Sequence, residues 1–220
     1  MSKGALGYIH LDMMNPQNLQ KFQQTVRSWN RSRKNKGMVL DVRYNGGGNI
    51  HIPLLQILSA KPLMQFQPRG GPKVQQPELY WDKPVIVLIN ERSFSDAEVF
   101  PFIFQQMKLG KVIGVPTPGG VIGTNDIKLS DGTTFRIPRT GYYSMDGKIN
   151  LERYGVKPDI LVEHTAKDRL EGNDRQLKKA LEVIQAEVKA RAKPTKKPTA
   201  KPTKGSKKPT TTKPTPDAPK

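Results

Sequence analysis

Apolar positions along the first 190 residues follow two rhythms. The early part alternates short, fully apolar runs with stretches of helical spacing. Tyr8–Leu11 is a short strand-like run. Asn15-Pro16 predicts a helix start, Asn as the cap and Pro in the first turn, and the segment to about Trp29 sets Leu19, Phe22 and Val26 on one face. A basic loop, Arg31–Lys36, leads to the apolar run Met38–Arg43, read as a buried strand that must end at Asn45-Gly-Gly-Gly-Asn49. Ile50–Leu58 resumes helical spacing. Pro84–Ile89 is the strongest strand, apolar on both faces as in a covered parallel sheet. After the polar turn Asn90–Asp96 a helix runs to about Lys108, with Pro101 expected to bend it or delay its regular start. Lys111–Val115 is a further short strand.

From Val121 the period becomes that of antiparallel strands, with Asp131-Gly132 and Asp146-Gly147 as hairpin signals. Pro158–Val162 reads as a last strand. Asn173 or Asp174 then opens a helix carrying Leu177, Leu181, Ile184 and Val188 on one face. Strand–helix units, then hairpins, then a terminal helix give one α/β domain of mixed strands with flanking helices over residues 1–190.

Composition changes the picture beyond that point. Lys-Pro-Thr occurs five times after residue 192, and no Val, Ile, Leu, Phe, Trp, Tyr or Met follows residue 191. Residues 191–220 therefore have no apolar surface to offset the entropy of ordering and are expected to form a disordered basic tail. Of the net charge of +18 in 220 residues, this tail holds ten Lys/Arg against one acid. It reads either as a solvated appendage or as a non-specific contact to polyanions, which would weaken steeply with salt. No run approaches the roughly 18–20 apolar residues of a membrane span. The start has no signal-peptide pattern, which points to the cytoplasm. The absence of cysteine removes disulfides, thiolate catalysis and cysteine-ligated metals, and three isolated histidines without His-Glu-x-x-His give no metal site. No cofactor is expected.

Two turns carry candidate chemistry, each following a buried strand, where ligands of open α/β sheets gather. In Asp41–Asn49, three glycines permit positive φ and close approach of backbone N–H groups, which suits an oxyanion. A plain tight turn is the simpler reading, and a phosphate loop fails for want of Gly-Lys-Ser/Thr. In Asn90–Glu98, a serine between a strand and a helix N-terminus is placed as a nucleophile beside free N–H groups. The simpler reading is that Ser93 or Ser95 caps the helix, with Asp96 or Glu98 in its first turn.

Together the turns are more specific. Asp41-Val-Arg43 with Asn45-Gly-Gly-Gly48, then Asn90-Glu91 and Ser93–Glu98, resemble the tail-specific or C-terminal-processing serine peptidases. Gly119–Gly123, Leu151–Asp159 and Gly172–Leu177 are similar to the tricorn-like branch. The resemblance spans roughly residues 6–188 and implies a crotonase- or protease-subunit-like core. It also implies Ser95 as the nucleophile, the N–H groups of Gly48 and Asp96 as the oxyanion hole, and Glu152 as the carboxylate that completes a tetrad through a second serine. Ser93 is then a turn residue. The implied activity is hydrolysis of peptide or protein substrates.

The base is the gap in this resemblance. The processing branch places a lysine about 25 residues after the serine, where this chain has Gly120; Lys108, Lys111 and Lys128 do not match. The tricorn-like branch uses an upstream Ser-His pair preceding a PDZ module, neither of which this sequence contains. His10, His51 and His164 read as structural, though His51 leaves the glycine turn. Two expectations follow: a peptidase piece completed by an upstream half or a homo-oligomer, or a non-catalytic binding module of the same fold tethered to polyanions by its tail. A face left bare by a missing domain would favour self-association.

Overall fold

The computed structural model describes residues 5–192. The Lys-Pro-Thr segment 193–220, with its expected disorder and polyanion contact, lies outside the described residues.

The chain runs β1 (Leu6–His10), α1 (Pro16–Ser32), β2 (Gly37–Asp41) and α2 (His51–Ser59), then a hairpin of β3 (Met64–Phe66) and β4 (Val74–Gln76). It continues through β5 (Val85–Ile89), α3 (Asp96–Gln106) and β6 (Lys111–Gly114) to a ribbon of β7 (Gly123–Lys128) and β8 (Thr134–Thr140). β9 (Ile160–Leu161), α4 (Ala166–Leu170) and α5 (Arg175–Ala192) close it. The five-stranded sheet has the order β1-β2-β5-β6-β9, and every neighbouring pair in it is parallel. The antiparallel strands expected about Asp131-Gly132 form the separate β7–β8 ribbon, whereas about Asp146-Gly147 only an isolated bridge joins Tyr143 to Asn150, and the second ribbon, β3–β4, was not expected.

Period-2 alternation sorts the sheet into two cores. Met38, Leu40, Val85, Val87, Ile89 and Val112 join Phe22 and Val26 of α1, Leu54 and Leu58 of α2, and Phe100 and Phe104 of α3. The intervening Val39, Ile86, Leu88 and Ile113 face Ala180 and Ile184 of α5. A sheet that advances always in one direction through right-handed crossovers stacks its connecting helices on one face. The other face needs a helix from elsewhere, and α5 supplies it.

Local signals set the helix ends. The Asn15 Oδ1 accepts from the Asn18 N–H at 2.9 Å, with Pro16 in the first turn of α1. The Asp174 Oδ1 accepts from the Leu177 N–H at 2.8 Å at the start of α5. Helix α3 starts at Asp96, five residues before Pro101, so the proline lies inside the helix and does not delay it.

Strands β2 and β5 are adjacent and in register from Met38↔Val85 to Asp41↔Leu88. They therefore leave the sheet side by side, which brings the two candidate turns together.

Candidate active site

Ser95 sits between β5 and α3 with φ 55° and ψ −118°. Only glycine adopts a positive φ without strain, and holding another residue there costs about 1–3 kcal/mol. The surroundings impose it. The Ser95 N–H donates to Glu98 Oε1 at 3.1 Å, and the Phe94 N–H to the Asn45 carbonyl at 2.9 Å. Ser93 is fully buried; its Oγ donates to the Val42 carbonyl at 2.9 Å and accepts from the Asn90 N–H at 3.0 Å. Ser93 is thus the latch between the turn and β2, as its reading as a turn residue requires.

The glycine bend lies directly against this elbow. A Cβ placed on Gly47 (φ 98°) would fall 2.6 Å from Ser95 Cβ and 3.2 Å from the Asp96 nitrogen. Gly48 (φ 146°) leaves no more room, since a Cβ there would lie 1.9 Å from the Met14 carbonyl oxygen. The bend is pinned by Asn45, whose amide donates to the Leu11 carbonyl at 2.8 Å and whose Oδ1 accepts from the Gly47 N–H at 2.8 Å. Around the elbow, the N–H groups of Ala97 and Glu98 go to the carbonyls of Phe94 and Ser95, and that of Asn49 to the Met14 carbonyl. Among the described residues, the N–H groups of Gly48 and Asp96 have no acceptor.

Two buried carboxylates organise this region. Asp96 does not cap its own helix. Its Oδ2 accepts from the N–H groups of Ile50 (2.7 Å) and His51 (3.1 Å), and its Oδ1 meets His51 Nδ1. Helix α2 has no side-chain cap of its own, so Asp96 supplies the anion that its N-terminal N–H groups favour. The same bonds tie the glycine bend to the residue after Ser95. Glu98, fully buried, accepts from Ser95 N, Thr117 Oγ1 (2.5 Å), Gly119 N (2.6 Å) and Gly120 N (2.8 Å).

Glu152 forms no hydrogen bond with Ser95 among the described residues. Its Oε2 accepts from the N–H groups of Val121 (2.8 Å) and Ile122 (3.0 Å), the next two donors after those held by Glu98. The two carboxylates thus hold four consecutive N–H groups of the segment 119–122. That segment packs on the elbow: a Cβ on Gly120 would come within 2.0 Å of the Phe94 ring. A side chain at the position where the processing branch has its lysine would have to displace that ring, which is 45% exposed.

Behind the bend, Arg43 binds Asp41 (2.6–3.0 Å), Asp174 (2.8 and 3.0 Å) and Gln176 (3.0 Å), fastening the start of α5 to the end of β2. Burial opposes the Arg43 charge, but its hydrogen bonds to Asp41 and Asp174 outweigh that and raise its pKa. Burial, then the Asp41 charge, pushes the Tyr8 hydroxyl up to about 12, so it stays a donor to Asp41 at 2.8 Å. His10 meets the Arg43 carbonyl at 3.2 Å, and His164 lies 3.6 Å from Asp174. Neither imidazole forms a hydrogen bond with Ser95. The roles of Asn45, the Asp96 side chain and Glu98 were not apparent in the sequence. The nearest signal was the capping-box spacing of Ser95 and Glu98.

A parallel α/β sheet thus holds, at one strand-to-helix elbow, a serine at positive φ beside two amides without acceptors. The chain belongs to peptidase family S41, whose family model matches residues 5–162. It is 34% identical over 189 residues to the tricorn protease of Thermoplasma acidophilum, covering 86% of this chain and 17% of that protein. It is 37% identical over 184 residues to a tricorn protease homolog of Saccharolobus solfataricus, covering 83% and 17%. A crystal structure of the tricorn protease superposes with a TM-score of 0.75 at 32% identity, over 86% of this chain and 18% of that one. The chain thus spans about a sixth of the length of these relatives.

Proposed function

We propose that this chain carries the nucleophile and oxyanion hole of a serine peptidase acting on peptide or protein substrates. The Ser95 Oγ attacks the scissile carbonyl carbon and gives its proton to a base. The carbonyl oxygen becomes an oxyanion held by the N–H groups of Gly48 and Asp96; such a donor contributes about 2.7–4 kcal/mol in the transition state. The C–N bond then breaks, the amine leaves with the proton, and water hydrolyses the acyl-enzyme. The observation that carries this reading is the strained Ser95 elbow locked against two amides without acceptors.

A serine hydroxyl needs a base. Among the described residues, no histidine or lysine is hydrogen-bonded to Ser95. With this chain spanning about a sixth of its relatives, we assign the base to another polypeptide, either an upstream half or a second copy of this chain. Glu152 Oε1 has no hydrogen-bond partner among the described residues, which suits the carboxylate that would anchor that contribution. Family membership favours this reading over a non-catalytic binding module.

An active-site fluorophosphonate probe tests it. The full chain is expected to label slowly and Ser95→Ala not at all, because a triad lacking one member retains only about 10³–10⁴-fold catalysis over water. Equal labelling of the two would remove Ser95 from the mechanism.

A further inference from the structure

At the opposite end of the sheet, where β2 and β5 begin, the surface is cationic. A cleft of about 850 Å³ lies between the last turns of α1 and the β3–β4 hairpin. Arg27, Arg31, Arg33, Lys36, Lys73 and Lys83 line it, against two carboxylates, Glu78 and Asp82. Those two acids are already engaged, Glu78 by Arg31 at 3.4 Å and Asp82 by Lys83 at 3.6 Å. Arg27, Arg33, Lys36 and Lys73 have no carboxylate partner among the described residues. Burial, helped by the neighbouring Lys36 charge, pushes the Lys83 ammonium below its ordinary value in spite of Asp82. The folded state therefore concentrates positive charge here without neutralising it.

The end of the fold reaches the same place. The Arg191 guanidinium donates to the Asp82 carbonyl, so the last turn of α5 abuts the cleft. The 28 residues that follow Ala192 carry nine lysines and one aspartate. None of these groups takes part in the Ser95 chemistry at the other end.

We propose that this cleft binds the phosphate backbone of a single-stranded nucleic acid. Three of the lining cations are arginines on one helix end, and the guanidinium fork matches phosphate oxygens. A concave groove admits a linear polyanion, whereas a flat anionic bilayer cannot enter it. The aromatic residue lining the cleft, Tyr80, is 8% exposed, so no base can stack on it and binding is independent of sequence.

The test is fluorescence anisotropy of the full chain with a labelled 25-nucleotide single-stranded DNA across a salt series. For single strands, each lost phosphate contact lowers the salt slope by about 0.7. The triple substitution Arg27→Gln, Arg33→Gln, Lys73→Gln is therefore expected to lower it by about 2 and to weaken binding at least tenfold, with fluorophosphonate labelling of Ser95 unchanged. If the triple variant does not fold, Lys73→Glu on the exposed hairpin alone is expected to lower the slope by about 0.7. Binding unchanged in whichever of these folds, but lost when the lysines after residue 192 become Gln, would overturn the cleft as a site. Equal displacement by poly-glutamate at matched charge, or equal capture by phosphatidylserine vesicles, would overturn nucleic acid as the ligand.

Discussion

The serine elbow with its glycine bend and the β7–β8 ribbon are both excursions from the central sheet, yet their backbones are held in different ways. At the elbow, side chains meet the backbone from every direction: Asn45 pins the bend, Ser93 latches the turn to β2, Asp96 binds the start of α2, and Glu98 collects four donors. The ribbon is held by its own ladder, and most of its residues are exposed on both faces. Its cross-strand pair Ile127 and Phe135 is 39% and 54% exposed. An isolated two-stranded ribbon is marginal in water. The comparison separates what this chain finishes by itself from what it leaves open. The half of the site proposed to hold a developing charge is fixed by buried polar bonds whose loss is costly, whereas the ribbon adds surface but little stability.

The largest effect that can test this contrast falls on Glu98. Removing its carboxylate strands the N–H groups of Ser95, Gly119 and Gly120 and the Thr117 hydroxyl together. A buried donor left alone costs about 1–3 kcal/mol, so Glu98→Ala is expected to lose about 4–5 kcal/mol in denaturant unfolding and to abolish fluorophosphonate labelling. Glu98→Gln presents an amide to groups that are all donors and should recover less than half of that loss. A Glu98→Ala protein within about 1 kcal/mol of wild type would mean that water replaces the carboxylate and that the elbow is not locked by it.

That carboxylate also marks the limit of what the sequence discloses. The two buried strands, α1 with its Asn15 cap, the last helix and the Asp131-Gly132 hairpin were legible, because period, caps and turn residues act locally. The meeting of the two turns was legible only through family resemblance, since it depends on β2 and β5 being neighbours across more than 40 residues. The clamp from Arg43 to Asp174 joins two motifs quoted separately from the sequence and 131 residues apart. Asp96 and Glu98 were visible as first-turn acids of α3, but their partners are backbone N–H groups of other segments, and those carry no residue-type signature. Helix α4 and the β3–β4 hairpin are too short for periodicity to reveal.

A smaller effect is expected at Asp96, which joins elbow to bend. Asp96→Ala loses the bonds to Ile50, His51 and the His51 ring, frees the glycine bend from Ser95, and is expected to cost about 2–3 kcal/mol. Its labelling rate should fall at least tenfold, because the spacing of the two proposed oxyanion donors is no longer fixed. Asp96→Asn keeps one oxygen for the two N–H groups and should label within about threefold of wild type, at a cost of about 1 kcal/mol. Loss of labelling in His51→Ala but not in Asp96→Asn would sharpen the comparison differently: the imidazole would then act on Ser95 itself, and the base would lie within this chain.

The smallest effect belongs to the ribbon. Ile127 and Phe135 face each other across β7 and β8, are both exposed and belong to none of the buried clusters. Replacing both with Thr keeps the β-branched preference for strand and removes only exposed apolar surface. Substitutions of that kind usually stay within about 0.5 kcal/mol, so the double variant should unfold as wild type does, with Ser95 labelling intact. A loss above about 1.5 kcal/mol that appears only at high protein concentration, together with a shift to monomer in sedimentation, would show that copies of the chain bury the ribbon against one another. The ribbon would then be stabilised by contacts outside its own chain, while the elbow remains stabilised by contacts within it.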